Sequence, residues 1–213
     1  MTGTPEAAAK AAKPATRPEP ETSGRNRALG VLRLAVVWAV AAGLAWFGKP
    51  TRTEWAIGLA FTALGESLRI WGAGHLVKND VLTLTGPYAY VRNPLYAGTL
   101  LIGLGFALAA GGLAGSIVLP VGIALFFLYY FPYKERIESA RLERFYGTPY
   151  TQYRAAVPAL LPALSPWRPP SGGAAASAFS WSAARFAEND ESGTLLAVVV
   201  GIVALALRPL LAF

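Results

Sequence analysis

Two polar stretches of this chain carry side chains whose types and spacing could do chemistry. Residues 85–98 read TGPYAYVRNPLYAG, and residues 134–153 form a charged, periodic run that ends in tyrosines. In the first stretch, Asn93 can cap a helix with its side-chain oxygen, and Pro94 suits the first helical position. Such a helix start presents free N–H groups and the positive end of the helix dipole, which together favour an anion.

The second stretch places a base and an acid one helical turn apart. Lys134 and Glu138 are four residues apart and therefore share one helical face. The spacing alone favours a solvated surface ion pair, worth about 0.3–0.5 kcal/mol. Glu66 and Arg69 form another close pair, three residues apart. Either these two side chains pair with each other, or Glu66 faces a buried polar cavity.

The composition excludes several kinds of site. The chain has no cysteine and a single histidine, His75, so thiolate chemistry and a histidine-rich metal centre are excluded. We predict no metal site. The net charge of +7 does not require nucleic acid as a partner, because the cytoplasmic loops of membrane proteins collect Lys and Arg.

The apolar content predicts an all-α, polytopic integral membrane protein with about five transmembrane helices. Of the 213 residues, 54% are hydrophobic and 15% are charged, against about 25% charged in a typical soluble domain. The mean hydropathy is +0.41. The predicted spans are residues 29–47, 55–71, 96–113, 116–131 and 193–213.

Composition also divides the chain into four segments. Residues 1–27 have the composition of a disordered cytoplasmic tail, and residues 28–162 form a core of four spans plus a cytoplasmic helix. Residues 163–192 are predicted to be a linker, and residues 193–213 a separate transmembrane helix. Pro132 is expected to kink or break the helix between the fourth span and the charged stretch.

The distribution of basic residues predicts the orientation in the membrane. With a cytoplasmic N-terminus and an external C-terminus, every Lys and Arg except Lys49, Arg52 and Arg208 lies on or near the cytoplasmic side. Both chemically rich stretches then face the cytoplasm. The expected location is a bacterial inner membrane.

Together, the two stretches resemble a known family. Residues 86–98 match the pattern GPYxxVRNPxYxG, and residues 138–158 match ExxxLxxx-aromatic-GxxYxxYxxxVP. In this order and separated by one helical hairpin, they resemble the membrane methyltransferases of the isoprenylcysteine carboxyl methyltransferase and phospholipid methyltransferase superfamily. The resemblance covers roughly residues 66–162 and implies S-adenosylmethionine as the cofactor, bound in a pocket at the cytoplasmic face.

The resemblance also implies roles for individual residues. Lys134 occupies the place of an arginine that faces the substrate carboxylate in the isoprenylcysteine enzymes, and is the implied catalytic residue. Glu138 matches the first acid of a Glu-Glu pair that holds the cofactor's amino group, whereas Ser139 stands in place of the second acid. The implied cofactor-binding residues are Val81, Leu82, Thr83, Leu84, Tyr88, Asn93, Pro94, Leu95, Tyr96 and Glu138.

The resemblance implies methyl transfer to an amphiphilic acceptor that enters from the lipid, such as an isoprenylcysteine carboxylate or another lipid-like molecule. Phospholipid (ethanolamine) N-methylation is the alternative within the same family. A non-catalytic lipid-binding protein with the same fold is the alternative outside enzymes, favoured by Lys134 and Ser139 in place of the family's arginine and second acid.

Overall fold

The computed structural model describes residues 24–77, 81–169 and 180–211, and within them it is helical without a named strand. This confirms the all-α class. The helices are α1 (Gly24–Phe47), α2 (Arg52–His75), α3 (Pro94–Ala110), α4 (Gly112–Leu125), α5 (Phe131–Tyr146), α6 (Thr148–Ala156), α7 (Ala183–Glu188) and α8 (Glu191–Leu211). The chain divides between Ala39 and Val40 into two compact units, and helices α2 to α8 belong to the second.

Close backbone contact between α2 and α3 organises this unit. Gly58 and Gly65 of α2 lie seven residues apart, as do Gly98 and Gly105 of α3. A Cβ atom on Gly65 would lie 2.7 Å from the Gly98 carbonyl oxygen, and one on Gly58 would lie 2.6 Å from the Gly105 carbonyl oxygen. Contacts that advance by seven residues suit two antiparallel helices that cross at a shallow angle. The glycines therefore let the two backbones touch along their length.

The ends of α2 are set by capping groups. At its start, the Thr51 hydroxyl accepts from the Glu54 N–H at 3.2 Å, and the Glu54 carboxylate accepts from the Thr51 N–H at 2.7 Å, a capping box. These hydrogen bonds, led by the one from the Thr51 backbone, lower the pKa of Glu54. The predicted hairpin between α3 and α4 turns at Gly111 and Gly112, which both have φ of 56°. Positive φ values favour glycine at both positions.

Helices α4 and α5 form one continuous helix over residues 112–146, interrupted only by a π-helical segment, Phe126–Tyr130. Of the two effects expected of Pro132, a kink or a break, the break does not occur. Pro132 follows the π segment directly, where the Phe131 N–H bonds to the Phe126 carbonyl, and it occupies the first turn of α5, where its missing N–H is tolerated.

This continuous helix of 35 residues is, within the described ranges, the one helix both long and apolar enough to cross a membrane. Three further apolar helical stretches are shorter: Trp38–Phe47, Pro94–Ala110 and Glu191–Leu207. At 1.5 Å per residue the continuous helix is about 52 Å long, which exceeds a hydrocarbon core of about 30 Å. The count of five spans stays a prediction.

Two segment boundaries differ from those predicted. Helix α1 begins at Gly24, inside the segment assigned to the tail, while residues 1–23 lie outside the described residues. The segment assigned to a linker contains α7, and α8 begins at Glu191 rather than at residue 193. Composition alone does not show such a helix, because what holds it is its contact with the end of α2.

That contact satisfies carbonyls that a helix end leaves free. Trp181 Nε1 donates to the Ile70 carbonyl at 3.0 Å, and Arg185 Nε donates to the Gly74 carbonyl at 3.1 Å. Asn189 Nδ2 donates to the Ala73 carbonyl at 2.9 Å. The chain between α6 and α8 therefore returns to cap α2.

Arg69 pairs with Glu191 of α8, not with Glu66 as the three-residue spacing suggested. Its Nη2 lies 2.7 Å from Glu191 Oε2, and both side chains are largely buried. Glu66 is itself buried on the same helix, with both carboxylate oxygens without a hydrogen-bond partner among the described residues. The pairing of Arg69 fastens α8 to α2.

The packing of α3 against α2 predicts opposite effects for two neighbouring glycines. A Cβ on Gly105 would meet the Thr62 hydroxyl and lie 2.6 Å from the Gly58 carbonyl oxygen, whereas one on Gly103 would have no atom within 4 Å. We expect Gly105→Ala to lower the free energy of unfolding by about 1–3 kcal/mol through overpacking. Gly103→Ala, the matched control in the same helix, should raise it by about 0.5–1 kcal/mol because alanine favours the helix.

Unfolding of the detergent-solubilised protein, followed by circular dichroism, measures both changes. Equal effects of the two variants would contradict the close contact between α2 and α3.

Candidate cofactor site

Backbone hydrogen bonds fix the loop before α3 to the chain that follows α6. The N–H groups of Arg92 and Asn93 donate to the carbonyls of Pro158 and Ala159, at 2.8 and 3.1 Å. In the opposite sense, the Trp167 N–H donates to the Ala89 carbonyl at 2.8 Å. These bonds position the loop from outside and leave its side chains to face α5.

The carboxylate of Glu135, in the first turns of α5, is the centre of the polar contacts on this loop. Arg92 Nη1 lies 2.5 Å from its Oε1, and Asn93 Nδ2 donates to its Oε2 at 2.8 Å. Ser139, one helical turn later, donates to Oε1 at 3.1 Å. One acid therefore holds the side chains of the loop and of its own helix together.

This arrangement corrects the expected role of Asn93. Its side chain makes no capping hydrogen bond to α3; the amide instead donates to Glu135 and to the Ala159 carbonyl, at 2.8 and 3.1 Å. Both bonds use the amide N–H groups, and the one to the carboxylate is the stronger of the two. Pro94 does occupy the first turn of α3, as predicted.

Arg92 is held inside the protein as well. In addition to Glu135, its Nε donates to the Val157 carbonyl at 2.9 Å. Its side chain retains 13% of its exposure. The guanidinium therefore anchors the loop to the chain after α6.

Tyr96 and Glu138 join the two chemically rich stretches directly. The Tyr96 hydroxyl, in the first turn of α3, donates to Glu138 Oε2 of α5 at 2.8 Å. The Tyr96 ring meets the rings of Tyr130 and Phe131 edge-on, with centroids 5.9 and 6.3 Å apart. A half-buried carboxylate thus stands beside a group of aromatic rings, where α3 meets the junction of the π segment and α5.

Lys134 lies on the same helical face as Glu138 and is half-buried. Among the described residues it has no hydrogen bond or ion pair, so the surface pair with Glu138 does not form there.

Behind these groups lies a buried cluster of Tyr150, Tyr153 and Val157. The two tyrosines are 2% and 3% exposed, so they pack against the rest of the protein. Five partly buried hydrophobic residues pack against the cluster: Leu82, Leu84, Leu142, Tyr146 and Trp167. The cluster thus fixes the loop residues 82 and 84 to α6.

Two hydroxyl contacts tie this cluster to the polar centre. The Tyr153 hydroxyl donates to the Tyr88 carbonyl at 2.8 Å, and the hydroxyls of Ser139 and Tyr150 lie 2.7 Å apart. Burial raises the pKa of the Tyr88 and Tyr153 phenols, which therefore stay neutral at physiological pH. Ser139 is an internal link rather than a group that faces a ligand.

The remaining implied residues take supporting positions. The Thr83 hydroxyl accepts from the Val77 N–H at 3.0 Å, and the Leu95 carbonyl accepts from Arg69 at 3.1 Å. Pro94 is buried and Val81 is half-buried. Of the implied site residues, Tyr96 and Glu138 are in direct contact, whereas Asn93 contacts Glu135 and not Glu138.

Sequence reasoning missed the central role of Glu135. One signal for it was present, because Glu135 and Ser139 are four residues apart on one helical face. No sequence signal pointed to its pairing with Arg92, which lies 43 residues away. Among the described residues, no group of three or more His, Cys, Asp or Glu side chains could hold a metal ion.

The buried link between α5 and α6 predicts a loss of stability when it is cut. Ser139→Ala leaves the buried Tyr150 hydroxyl without this partner, so we expect the free energy of unfolding to fall by about 1–3 kcal/mol. Ser67→Ala is the control, because the Ser67 hydroxyl is exposed and bonds only to its own helix. Thermal unfolding compares the two, and equal effects would contradict the link.

Comparison with known proteins places the chain in a family. A family model described as phospholipid methyltransferase matches residues 32–149, more than half of the 213 residues. The matched region contains the loop, the hairpin and α5. No solved structure matches the chain significantly.

Two curated proteins are similar to parts of the chain. A protein-S-isoprenylcysteine O-methyltransferase of Schizosaccharomyces pombe is 34% identical over 118 residues, which are 49% of this chain and 48% of the relative. The cobalt-zinc-cadmium resistance protein CzcN of Cupriavidus metallidurans is 28% identical over 150 residues, 66% of each chain. The chain thus spans about half the length of the first relative and about two thirds of the second.

These matches confirm the resemblance drawn from the two polar stretches, one of which lies wholly inside the matched region and the other mostly so. The chain belongs to the phospholipid methyltransferase family.

Proposed function

We propose that this protein is an S-adenosylmethionine-dependent methyltransferase that acts on an amphiphilic acceptor in a membrane. The observation that carries the proposal is the 2.8 Å hydrogen bond between Tyr96 and Glu138. It joins the two stretches that carry the family resemblance into one site, with a carboxylate and aromatic rings side by side.

The residues present fit the charges of this cofactor, which has a sulfonium, an ammonium and a carboxylate group. Glu138 uses Oε2 for Tyr96, is half-buried, and suits the ammonium. The rings of Tyr96, Tyr130 and Phe131 suit a sulfonium through cation–π attraction. Leu82 and Leu84 lie on the same fixed loop and supply apolar surface for a nucleoside.

The proposed cofactor-binding set therefore remains the one that the family resemblance implies: Val81, Leu82, Thr83, Leu84, Tyr88, Asn93, Pro94, Leu95, Tyr96 and Glu138. Within this set, the contacts suggest a division of labour. Tyr96 and Glu138 would touch the cofactor, whereas Asn93 and the Tyr88 carbonyl hold the loop in place through Glu135 and Tyr153.

When bound, the cofactor supplies an electrophilic methyl group. The chain's own contribution is alignment of the acceptor and exclusion of water, because methyl transfer is an in-line displacement that needs no strong acid or base. The rigid loop, anchored by Arg92 and by backbone bonds to residues 158 and 159, serves the alignment. The aromatic rings around Tyr96 serve the exclusion of water.

Lys134 is proposed to face the acceptor. It is half-buried one turn from Glu138, and no described side chain neutralises it, so it can attract an anionic head group. A lysine attracts a carboxylate as a point charge without the two-pronged geometry of arginine. An isoprenylcysteine carboxylate-like or other lipid-like anionic acceptor therefore suits the site.

We further propose five membrane spans, with the N-terminus and the site on the cytoplasmic side of a bacterial inner membrane and the C-terminus outside. The asymmetry of Lys and Arg supports this orientation. The long helix supports it as well, since its apolar part, α4, precedes the charged α5 that carries the site.

Two alternatives rest on specific observations. The description of the matching family favours phospholipid (ethanolamine) N-methylation, in which a proton must leave the amine; Glu135, or Lys134 as a neutral amine, would receive it. The use of Ser139 for internal bonding, where the family has a second acid, favours a non-catalytic lipid-binding protein. Binding of the cofactor separates the enzyme from the second alternative.

The proposed role of Glu138 in cofactor binding can be tested by removing its charge. Glu138→Gln removes the charge proposed to hold the cofactor's ammonium, and we expect the dissociation constant of S-adenosylmethionine to rise about 10- to 100-fold. Isothermal titration calorimetry on purified protein measures it. Glu143→Gln is the control, because Glu143 lies on the same helix but is exposed and 3.8 Å from Arg154.

The control should leave the dissociation constant unchanged. If the unaltered protein does not bind S-adenosylmethionine, or if both variants bind it equally, the enzyme proposal is wrong.

The proposed role of Lys134 toward the acceptor can be tested in the same way. Lys134→Met should lower kcat/KM for an anionic acceptor at least tenfold and leave cofactor affinity unchanged, while Lys134→Arg retains most activity because it keeps the charge. Transfer of labelled methyl groups to membrane lipid extracts, followed by mass spectrometry for the gain of one methyl, measures it. Full activity of Lys134→Met would remove Lys134 from the site.

A further inference from the structure

An acid without a partner lies inside the second unit, away from the proposed site. Glu66 is 7% exposed, and neither of its carboxylate oxygens has a hydrogen-bond partner among the described residues. It shares one face of α2 with Thr62, Arg69 and Ala73, at helical spacings of three and four residues. This face packs against α3, where Thr62 stands over Gly105.

The N–H donors of the neighbouring cation, Arg69, all go to groups other than this acid. A guanidinium has five N–H donors. Arg69 Nη1 donates to the Leu95 carbonyl at 3.1 Å and to Thr99 at 2.6 Å. Its Nε donates to Glu191 at 3.1 Å, and Nη2 donates to Glu191 at 2.7 Å and to Thr194 at 3.3 Å.

The charges of this interior are therefore balanced without Glu66. Arg69 is matched by the bidentate carboxylate of Glu191. Helix α3 has no charged residue, and its one titratable side chain, Tyr96, donates to Glu138. Helix α7 adds Arg185, which bonds to the Gly74 carbonyl two turns further along α2.

An ionised Glu66 would be a second negative charge with no donor and no counter-charge of its own. An ionised group of this kind costs several kcal/mol even after the protein relaxes. A bound proton removes the cost of burying a charge, because a neutral carboxyl group leaves only an ordinary polar group to be buried.

We propose that Glu66 is a proton-binding site at the interface of α2, α3 and α8, occupied by a proton at neutral pH. In its neutral form it leaves Arg69 entirely to Glu191 and to the first turn of α3. The ligand is the proton alone, since the carboxyl oxygens are closed to solvent and no group of three or more described His, Cys, Asp or Glu side chains is present to hold a metal ion.

The consequence for the site rests on the proposed function. Arg69 holds the Leu95 carbonyl, and the next residue, Tyr96, contacts Glu138. A carboxylate at position 66 would compete for Arg69 and draw it from the Leu95 carbonyl and Thr99. The proton on Glu66 thus leaves Arg69 on the carbonyl of Leu95, and Glu191 of α8 supplies the counter-charge of Arg69.

Infrared spectroscopy tests the proton without any cofactor. In purified protein at neutral pH, we expect the carbonyl stretch of a protonated carboxyl group, which disappears in Glu66→Gln and persists in the exposed control Glu143→Gln. An unchanged spectrum in Glu66→Gln would overturn the proposal.

Thermal unfolding gives the second readout, with two variants that remove one carboxylate each. Glu66→Gln should shift the melting temperature by less than about 2 °C, because it replaces one neutral group by another, whereas Glu191→Gln should lower it by more than about 4 °C because it strips Arg69 of its counter-charge. Equal losses would show that Glu66 is ionised and paired.

Cofactor binding separates this inference from the proposed function. Glu66→Gln should leave the dissociation constant of S-adenosylmethionine within threefold, and Glu191→Gln should raise it at least fivefold. A tenfold rise in Glu66→Gln would show that a neutral group at position 66 does not preserve the site, and would overturn this consequence of the proton. Lack of binding by the unaltered protein would overturn the proposed function and with it this consequence, while the infrared result would still decide the proton site.

Discussion

The backbone contact between α2 and α3 is the constraint on which the rest of the structure depends. Because glycines face each other along both helices, the carbonyls of one helix lie against the backbone of the other. Such proximity lets Arg69 of α2 reach the Leu95 carbonyl and Thr99 of α3. The same side chain binds Glu191, so the position of α8 also follows from this contact.

The proposed site is built onto the end of that helix pair. Helix α3 begins where the loop is anchored to residues 158 and 159, and its first turn directs Tyr96 at Glu138. Glu135 holds the loop next to this contact in place, since it binds Arg92, Asn93 and Ser139. Glu135 and Glu138 are three residues apart on α5: Glu135 holds the loop, and Glu138, which accepts from Tyr96, is the acid proposed to hold the cofactor.

Substitution within a family can change what a neighbouring residue must do. Ser139 stands at the position where the family resemblance implies a second acid, and its side chain is turned inward, where it links Glu135 with Tyr150. A small hydroxyl can be buried when two hydrogen bonds satisfy it, as they do here, whereas a buried carboxylate at this position would need a cation as its partner. The loss of the second acid is thus compatible with a site in which Glu138 acts alone.

Local patterns in the sequence determined the helices, the glycine hairpin at residues 111 and 112, and the two stretches that meet in the site. These depend on interactions within a few residues, such as hydrophobic runs, proline at a helix start and glycine at positive φ. The family resemblance determined that Tyr96 and Glu138 belong together, and the structure agrees.

Only the tertiary structure decided which polar groups pair. Arg69 has an acid three residues away and yet binds Glu191, 122 residues away; Asn93 leaves the cap of its own helix for Glu135. The sequence does not show whether Tyr150 and Tyr153 are buried; in the structure they are, and Leu82 and Leu84 pack against them. The physical reason is that a charged or polar group takes the best desolvated partner that the packed helices bring to it, and spacing along the chain does not reveal that partner.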